Sequence, residues 1–159
     1  MKLRKLEKKD ASLMLEWMHD DFVVHDLRTD FASKTIEDCL SFIENSNNTK
    51  TDLHLAIVDD NDEYMGTVSL KNINNESAEF GITVRKIAMG KGFSSYGMSE
   101  IIKIGKEKKK LKKIYWCVHP DNHRAVRFYE KKHYRHVLAP DEACGYTENE
   151  KKEYIWYEV

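Results

Sequence analysis

Two clusters of residues in this chain have types and spacings that allow chemistry. The first is Met89-Gly90-Lys91-Gly92-Phe93-Ser94-Ser95, a glycine-rich turn a few residues after a strand-like run that ends at Val84. It opens a helix, and the first turn of a helix has backbone N–H groups without internal partners. The helix dipole adds partial positive charge there, and glycine lets the backbone approach an anion closely. Such a turn can cradle a pyrophosphate, and Lys91 could add a full charge. A bare Gly-x-Gly serves equally well to shape a loop. The turn lacks the Gly-Lys-Ser/Thr of a P-loop and the third glycine of the dinucleotide fingerprint, and it follows a meander, not an initial βαβ unit. The second cluster runs from Val118 to Tyr134. Asn122 stands where an N-cap or a ligand-facing amide would stand. Ala125 and Tyr129 are four apart on one helix face, so an amide and a phenol can reach the same cleft. Read as plain structure, Asn122 is a cap and Phe128 and Tyr129 are core aromatics.

These clusters need elements to hold them. The pattern predicts a short first strand flanked by Leu3 and Leu6. A helix follows, capped at Asp10 and carrying Leu13, Met14, Trp17 and Met18. A second helix after Ser33 has Ile36, Leu40 and Ile43 at helical spacing. Three strands follow, His54 to Val58, Met65 to Leu70 and Ala78 to Val84, joined by short turns as an antiparallel meander. In the last, Ala78, Phe80, Ile82 and Val84 share one face; Glu79, Gly81, Thr83 and Arg85 share the other. After the glycine turn comes a helix with Ile101, Ile102 and Ile104, its end surrounded by Lys106 to Lys113, which read as a solvated helix end. A buried strand Ile114 to Val118, a helix from Asn122 to Lys132, and strands Tyr134 to Leu138 and Glu153 to Val159 complete a mixed α/β order.

At 159 residues, 41% of them hydrophobic and 33% charged, the chain suits one soluble domain over residues 1–159. A net charge of −1 gives no reason to expect nucleic acid or a membrane surface as partner. No apolar run approaches the roughly 20 residues of a membrane span, and the opening Met1 to Leu6 lacks the apolar core of a signal peptide. Cys39, Cys117 and Cys144 form neither a disulfide framework nor a zinc pattern. A reducing cytoplasm is the simplest compartment. The histidines lack ligand spacing, so no metal is expected.

Together, the two clusters resemble the GNAT N-acetyltransferase superfamily. Its pattern is Arg/Gln-x-x-Gly-x-Gly/Ala after the fourth strand, then Asn-x-x-Ala-x-x-Phe-Tyr-x-x-x-Gly-Phe. The second half reads here Asn122, Ala125, Phe128, Tyr129, His133, Tyr134. Met89 stands at the Arg/Gln position, Ser94 at the last Gly/Ala position and His133 at the later Gly, where the turn is expected to differ. The opening stretch Leu3 to Ala11, Glu16 to Asp20 and Ala78 to Ile82 resemble the RimJ/RimL-type branch.

The resemblance implies an α/β (α+β) GNAT fold: a mixed, mostly antiparallel sheet of six or seven strands, splayed between the fourth and fifth and flanked by about four helices. It implies acetyl-CoA as co-substrate. The pantetheine would lie along backbone near Ile82 and Val84, and the pyrophosphate on Met89, Gly90, Lys91, Gly92, Phe93, Ser94 and Ser95, with Asn122 and Phe128 nearby. A primary amine would attack the thioester directly through a tetrahedral oxyanion. Tyr129 matches the family's proton donor to the leaving thiolate. For the base, Glu79 on the fourth strand and His119 after the fifth are the candidates. Some ribosomal-protein acetyltransferases place a glutamate on the fifth strand; Cys117 stands there and reads as a buried apolar thiol. The acceptor would border Trp17, His19, Asp20, Asp21, His25, Asp26 and Arg28. It is expected to be a small-molecule amine: an amino sugar, polyamine or amino acid. A RimJ/RimL-type protein acetyltransferase and a non-catalytic CoA-binding module are the alternatives. A peptide needs an open groove and a small acceptor a closed pocket. Edge strands at the C-terminus could pair in a homodimer.

Overall fold

The alternating runs pair into one seven-stranded sheet in the computed structural model, which describes residues 1–159. Its strands are β1 (Lys2–Lys5), β2 (Leu53–Val58), β3 (Tyr64–Lys71), β4 (Ser77–Val84), β5 (Lys113–Val118), β6 (Arg135–Val137) and β7 (Ile155–Glu158), in the spatial order β1-β2-β3-β4-β5-β7-β6. The short turns make β2, β3 and β4 an antiparallel meander. The β4–β5 connection contains a helix, and this pair is parallel. It is joined only at Ser77/Lys113, Ala78/Ile114 and Glu79/Tyr115. From Phe80 to Val84, β4 bonds to β3 alone, while the end of β5 bonds to β7. The two strands part at this point, as the fold resemblance implies.

The helices are α1 (Ala11–Met18), α2 (Asp21–Val24), α3 (Ile36–Ser46), α4 (Phe93–Lys103), α5 (His123–Lys131) and α6 (Glu148–Glu153); α4 runs on into a π-helical turn, Ile104–Lys108. About four were expected. The additional short ones, α2 and α6, lack an apolar period to announce them. α6 buries no side chain and starts on a Thr147/Glu150 capping box. It takes up Glu153, so the last strand is shorter than its sequence pattern. Asp10 occupies the N-cap position of α1, but its carboxylate does not cap that helix. It accepts a two-pronged bond from Arg4 at 2.7 and 2.8 Å instead. Thr35 does cap α3, in a capping box with Asp38.

The strand alternation sorts the core into layers. Ile57, Val68, Phe80 and Trp116 pack with Phe93, Met98, Ile101 and Tyr129 on the α4/α5 face. Ala56, Val58 and Tyr64 pack with Met14, Trp17, Cys39 and Ile43 on the opposite face. Tyr115, Ala143 and Trp156 form a small third cluster under the segment that links β6 to β7. Gly97 lets α4 settle against the sheet, since a Cβ there would run into the Ile57 side chain. That contact sets the height of the glycine turn at the N-terminus of α4. His133, at the family's glycine position, has φ 57°, so the left-handed turn is kept despite the side chain.

Candidate active site

The unpaired edge of β4 borders a cavity of about 360 Å³, lined by Ile82, Thr83 and Val84 on the strand, Met89, Gly90, Gly92, Ser94 and Ser95 at the glycine turn, and Asn122, Phe128 and Tyr129 on α5. Gly90 and Gly92 have φ 74° and 88°, and a Cβ on Gly90 would meet nothing within 4 Å. The first helical bond of α4 is Tyr96 N–H to the Gly92 carbonyl, 3.0 Å. The amides of Phe93, Ser94 and Ser95 therefore precede the ladder, and those of Gly90 and Gly92 make no bond in the chain. This is a fit for a diphosphate, made almost wholly of main chain. The Met89 amide is bonded to the Lys86 carbonyl at 3.2 Å, so Met89, though on the cavity wall, offers no main-chain donor to it. Lys91 is exposed and its own amide is taken by Ala88, and the Phe93 side chain lies in the core. Of the residues expected to hold the coenzyme, these two alone do not line the cavity.

Asn122 caps a helix and lies on the cavity wall. Its Oδ1 accepts from the Ala125 amide at 3.1 Å, capping α5, while Nδ2 bonds nothing in the chain and the residue lines the cavity. Tyr129 is buried among Trp116, Phe128 and Tyr157, and its hydroxyl makes no hydrogen bond within the chain. Burial pushes its pKa far above the usual value, so the phenol stays protonated.

A second cavity, about 540 Å³, lies against the other sheet face. Its walls are Met14, Trp17 and Met18 of α1, Thr29, Phe31 and Lys34 of the following loop, α3 through Asp38, Ser41, Phe42 and Asn45, and the strand residues His54, Thr67, Ser69, Lys71 and Gly81. The two cavities share Ile82 and Thr83, where β4 and β5 have parted.

A family model described as an acetyltransferase (GNAT) domain matches residues 1–135. The chain belongs to the GNAT acetyltransferase family. Two proteins named Acetyltransferase PseH, from Campylobacter jejuni subsp. jejuni, are 23% and 25% identical to it over 130 residues, 82% of this chain and 80% of theirs. Among solved structures, spermidine N-acetyltransferase from Vibrio cholerae in complex with CoA and spermine gives a TM-score of 0.79 at 19% identity, covering 99% of this chain and 94% of that one. The Campylobacter jejuni N-acetyltransferase PseH in complex with acetyl coenzyme A gives 0.69 at 22% identity, covering 99% and 96%. At such identities the structural likeness establishes the fold.

In this acetyltransferase Glu79 is buried in the last residue pair before the strands part, and it lines neither cavity. Its Oε1 accepts from Lys71 Nζ at 2.9 Å and from the Tyr146 hydroxyl at 2.8 Å; Oε2 has only a long contact from Asn72 Nδ2, 3.5 Å. His119 lines neither cavity. Its Nδ1 accepts from the Asp121 amide at 3.2 Å and its Nε2 faces Glu153 at 3.2 Å. Cys117 is largely buried, and desolvation pushes its thiol up to about 11, which suits an inert thiol.

Of the N-terminal residues expected around the acceptor, only Trp17 lines the second cavity. Its Nε1 donates to Tyr64 Oη, 3.0 Å. His19 bonds the Lys34 carbonyl, Asp20 caps α2, His25 faces Asp26 and Arg28 is held by Glu150. The residues that build the cavity instead come from α3 and from polar strand positions. The inward alternation of Thr67, Ser69 and Lys71 in β3 was the one signal that pointed to them.

Proposed function

We propose that this acetyltransferase moves the acetyl group of acetyl-CoA to the primary amine of a small, hydroxyl-bearing molecule, most simply an amino sugar. The observation that carries this is the meeting of the two cavities at Ile82 and Thr83. Donor and acceptor can enter from opposite faces and touch only there. Acetyl-CoA supplies the thioester carbonyl at which the amine's C–N bond forms as C–S breaks.

The chain's residues then have separable roles. The unpaired backbone of β4 aligns the pantetheine arm, and the amides after Met89 hold the diphosphate. Oε2 of Glu79 takes the amine proton, directly or through water. Tyr129 gives its proton to the departing thiolate. The apolar surroundings that hold the phenol's proton also raise the thiolate's affinity for one, since both anions are poorly solvated there.

The acceptor class follows from charge and shape. The walls hold two ammonium groups, Lys34 and Lys71, against one carboxylate, Asp38. Oδ2 of Asp38 is already committed to the Thr35 amide and hydroxyl, at 2.8 and 3.1 Å. In these walls a polyamine would meet two ammonium groups and one committed carboxylate, Glu79 beyond them being paired with Lys71. A sugar ring would find Ser41, Asn45, His54, Thr67 and Ser69 for its hydroxyls and Trp17, Phe31 and Phe42 for its apolar face. A pocket of this volume, walled by α1 and α3, suits a small molecule better than a peptide. The stretches Leu3 to Ala11 and Ala78 to Ile82 support placing the chain in the RimJ/RimL-type branch by sequence, with a small-molecule acceptor.

The test is acetyl-CoA-dependent thiol release over a panel of nucleotide amino sugars, polyamines, amino acids and short peptides, with wild type and Tyr129→Phe. Release is expected with amino sugars, falling at least about tenfold without the phenol. Turnover of spermidine or peptides alone would overturn the acceptor assignment, and an unchanged rate in Tyr129→Phe would remove Tyr129 from the mechanism.

A further inference from the structure

We propose that Tyr146 is a positioning residue for catalysis, holding the Glu79 carboxylate in register with the acceptor amine and itself held by an Arg28–Glu150 clamp. The inference rests on Glu79 acting as the base. Tyr146 lies in the segment between β6 and β7, beyond the residues 1–135 that the family model matches. The family's motifs therefore do not reach it.

Each link is a contact in the structure. The Tyr146 hydroxyl donates to Glu79 Oε1 at 2.8 Å, beside Lys71 Nζ at 2.9 Å. With both donors on Oε1, the carboxylate cannot rotate freely, and Oε2 is left as the oxygen open to a proton. The Tyr146 ring packs edge-on to Trp156 at 5.0 Å. The Arg28 guanidinium covers the ring, 4.5 Å from its centre. Arg28 in turn forks onto Glu150 at 2.6 and 3.1 Å and donates to the Gly145 carbonyl at 2.7 Å. Glu150 also closes the capping box of α6. So the loop after α2 and the start of α6 grip the tyrosine from two sides. Its pKa is driven well above normal by burial and by neighbouring Cys117 and Glu79, so it remains a donor.

The charged and titratable groups around Glu79 are Lys71 from β3, Tyr115 and Cys117 from β5, and Tyr146 with Arg28 stacked behind it. Without the tyrosine donor only Lys71 holds Oε1, and the carboxylate is freer to turn. Tyr146→Phe keeps the ring and removes that donor alone. It should lower kcat several-fold and leave KM for acetyl-CoA unchanged, because the coenzyme cavity is untouched. Arg28→Gln should lower kcat in the same way by less, and gives a second reading if Tyr146→Phe folds poorly, as checked by thermal melting. In a Glu79→Gln background, Tyr146→Phe should add almost nothing, as expected for residues acting through one another.

If Glu79→Gln abolishes turnover while Tyr146→Phe and Arg28→Gln leave kcat unchanged, the positioning role is wrong and Glu79 stands as the base. If Glu79→Gln retains full activity, both assignments fall. If Tyr146→Phe lowers kcat equally in the presence and absence of Glu79, its action does not pass through the carboxylate and the inference is overturned.

Discussion

Asn122 offers a way to separate folding from coenzyme binding at a single position. Its Oδ1 caps α5 at 3.1 Å from the Ala125 amide, its Nδ2 has no partner in the chain, and the residue lines the cavity proposed for the coenzyme. Asn122→Ala removes both. The lost cap should cost about 1 kcal/mol, a Tm drop of about 2–4 °C for a domain of this size. The lost donor, at about 0.5–1.5 kcal/mol for one hydrogen bond, should weaken acetyl-CoA binding roughly two- to twelve-fold. Asn122→Asp is the informative partner. Aspartate caps as well as asparagine, so Tm should stay within about 1 °C of wild type. Its carboxylate, however, would present an acceptor and a negative charge to a coenzyme that is already anionic, and binding should fall about tenfold or more. Melting curves and calorimetric titration with CoA measure the two effects separately. If Asn122→Asp binds CoA as tightly as wild type, the side chain is a cap and nothing else, and the cavity as drawn does not hold the coenzyme.

His133→Gly should raise stability by up to about 1 kcal/mol, since φ 57° strains a residue with a Cβ; an unchanged or lower melting temperature would show that the histidine side chain compensates. His54 is half-buried against Ser69 Oγ at 2.7 Å, and desolvation lowers its pKa below the ordinary 6.5. The unfolded chain therefore takes up the proton first, so stability is complete above about pH 6.5 and declines as pH falls below it. His54→Gln should flatten that decline in melting curves between about pH 7.5 and 5, and parallel curves for the two proteins would rule His54 out as its cause.

The parts of the site legible in sequence are those made by contiguous residues. The glycine turn offers main-chain amides, and its spacing became telling only together with Asn122 and Tyr129 at the start and on the face of one helix. Glu79 was legible by strand alternation. The acceptor cavity was not, because its walls come from α1, a loop, α3 and four strand positions that only the folded sheet brings together. The acids and histidines after Trp17 drew attention by charge, yet they serve caps and loop contacts. Tyr146 gave no signal at all: it follows the last motif, in a stretch without hydrophobic period, and it reaches Glu79 only because the β6–β7 link folds back over the sheet.

The three residue pairs that join β4 to β5 are a seam between two half-sheets. An open strand edge ordinarily invites another protein chain. This one faces inward, into a slot roofed by α2 and α5, which a thin ligand with amides of its own can enter and a neighbouring β-strand cannot. The donor would thus act as a splint across the seam. Melting temperature should then climb with the logarithm of its concentration once that exceeds Kd. The half-sheets would be least firmly joined between turnovers, when the spent coenzyme has left and the next has not arrived.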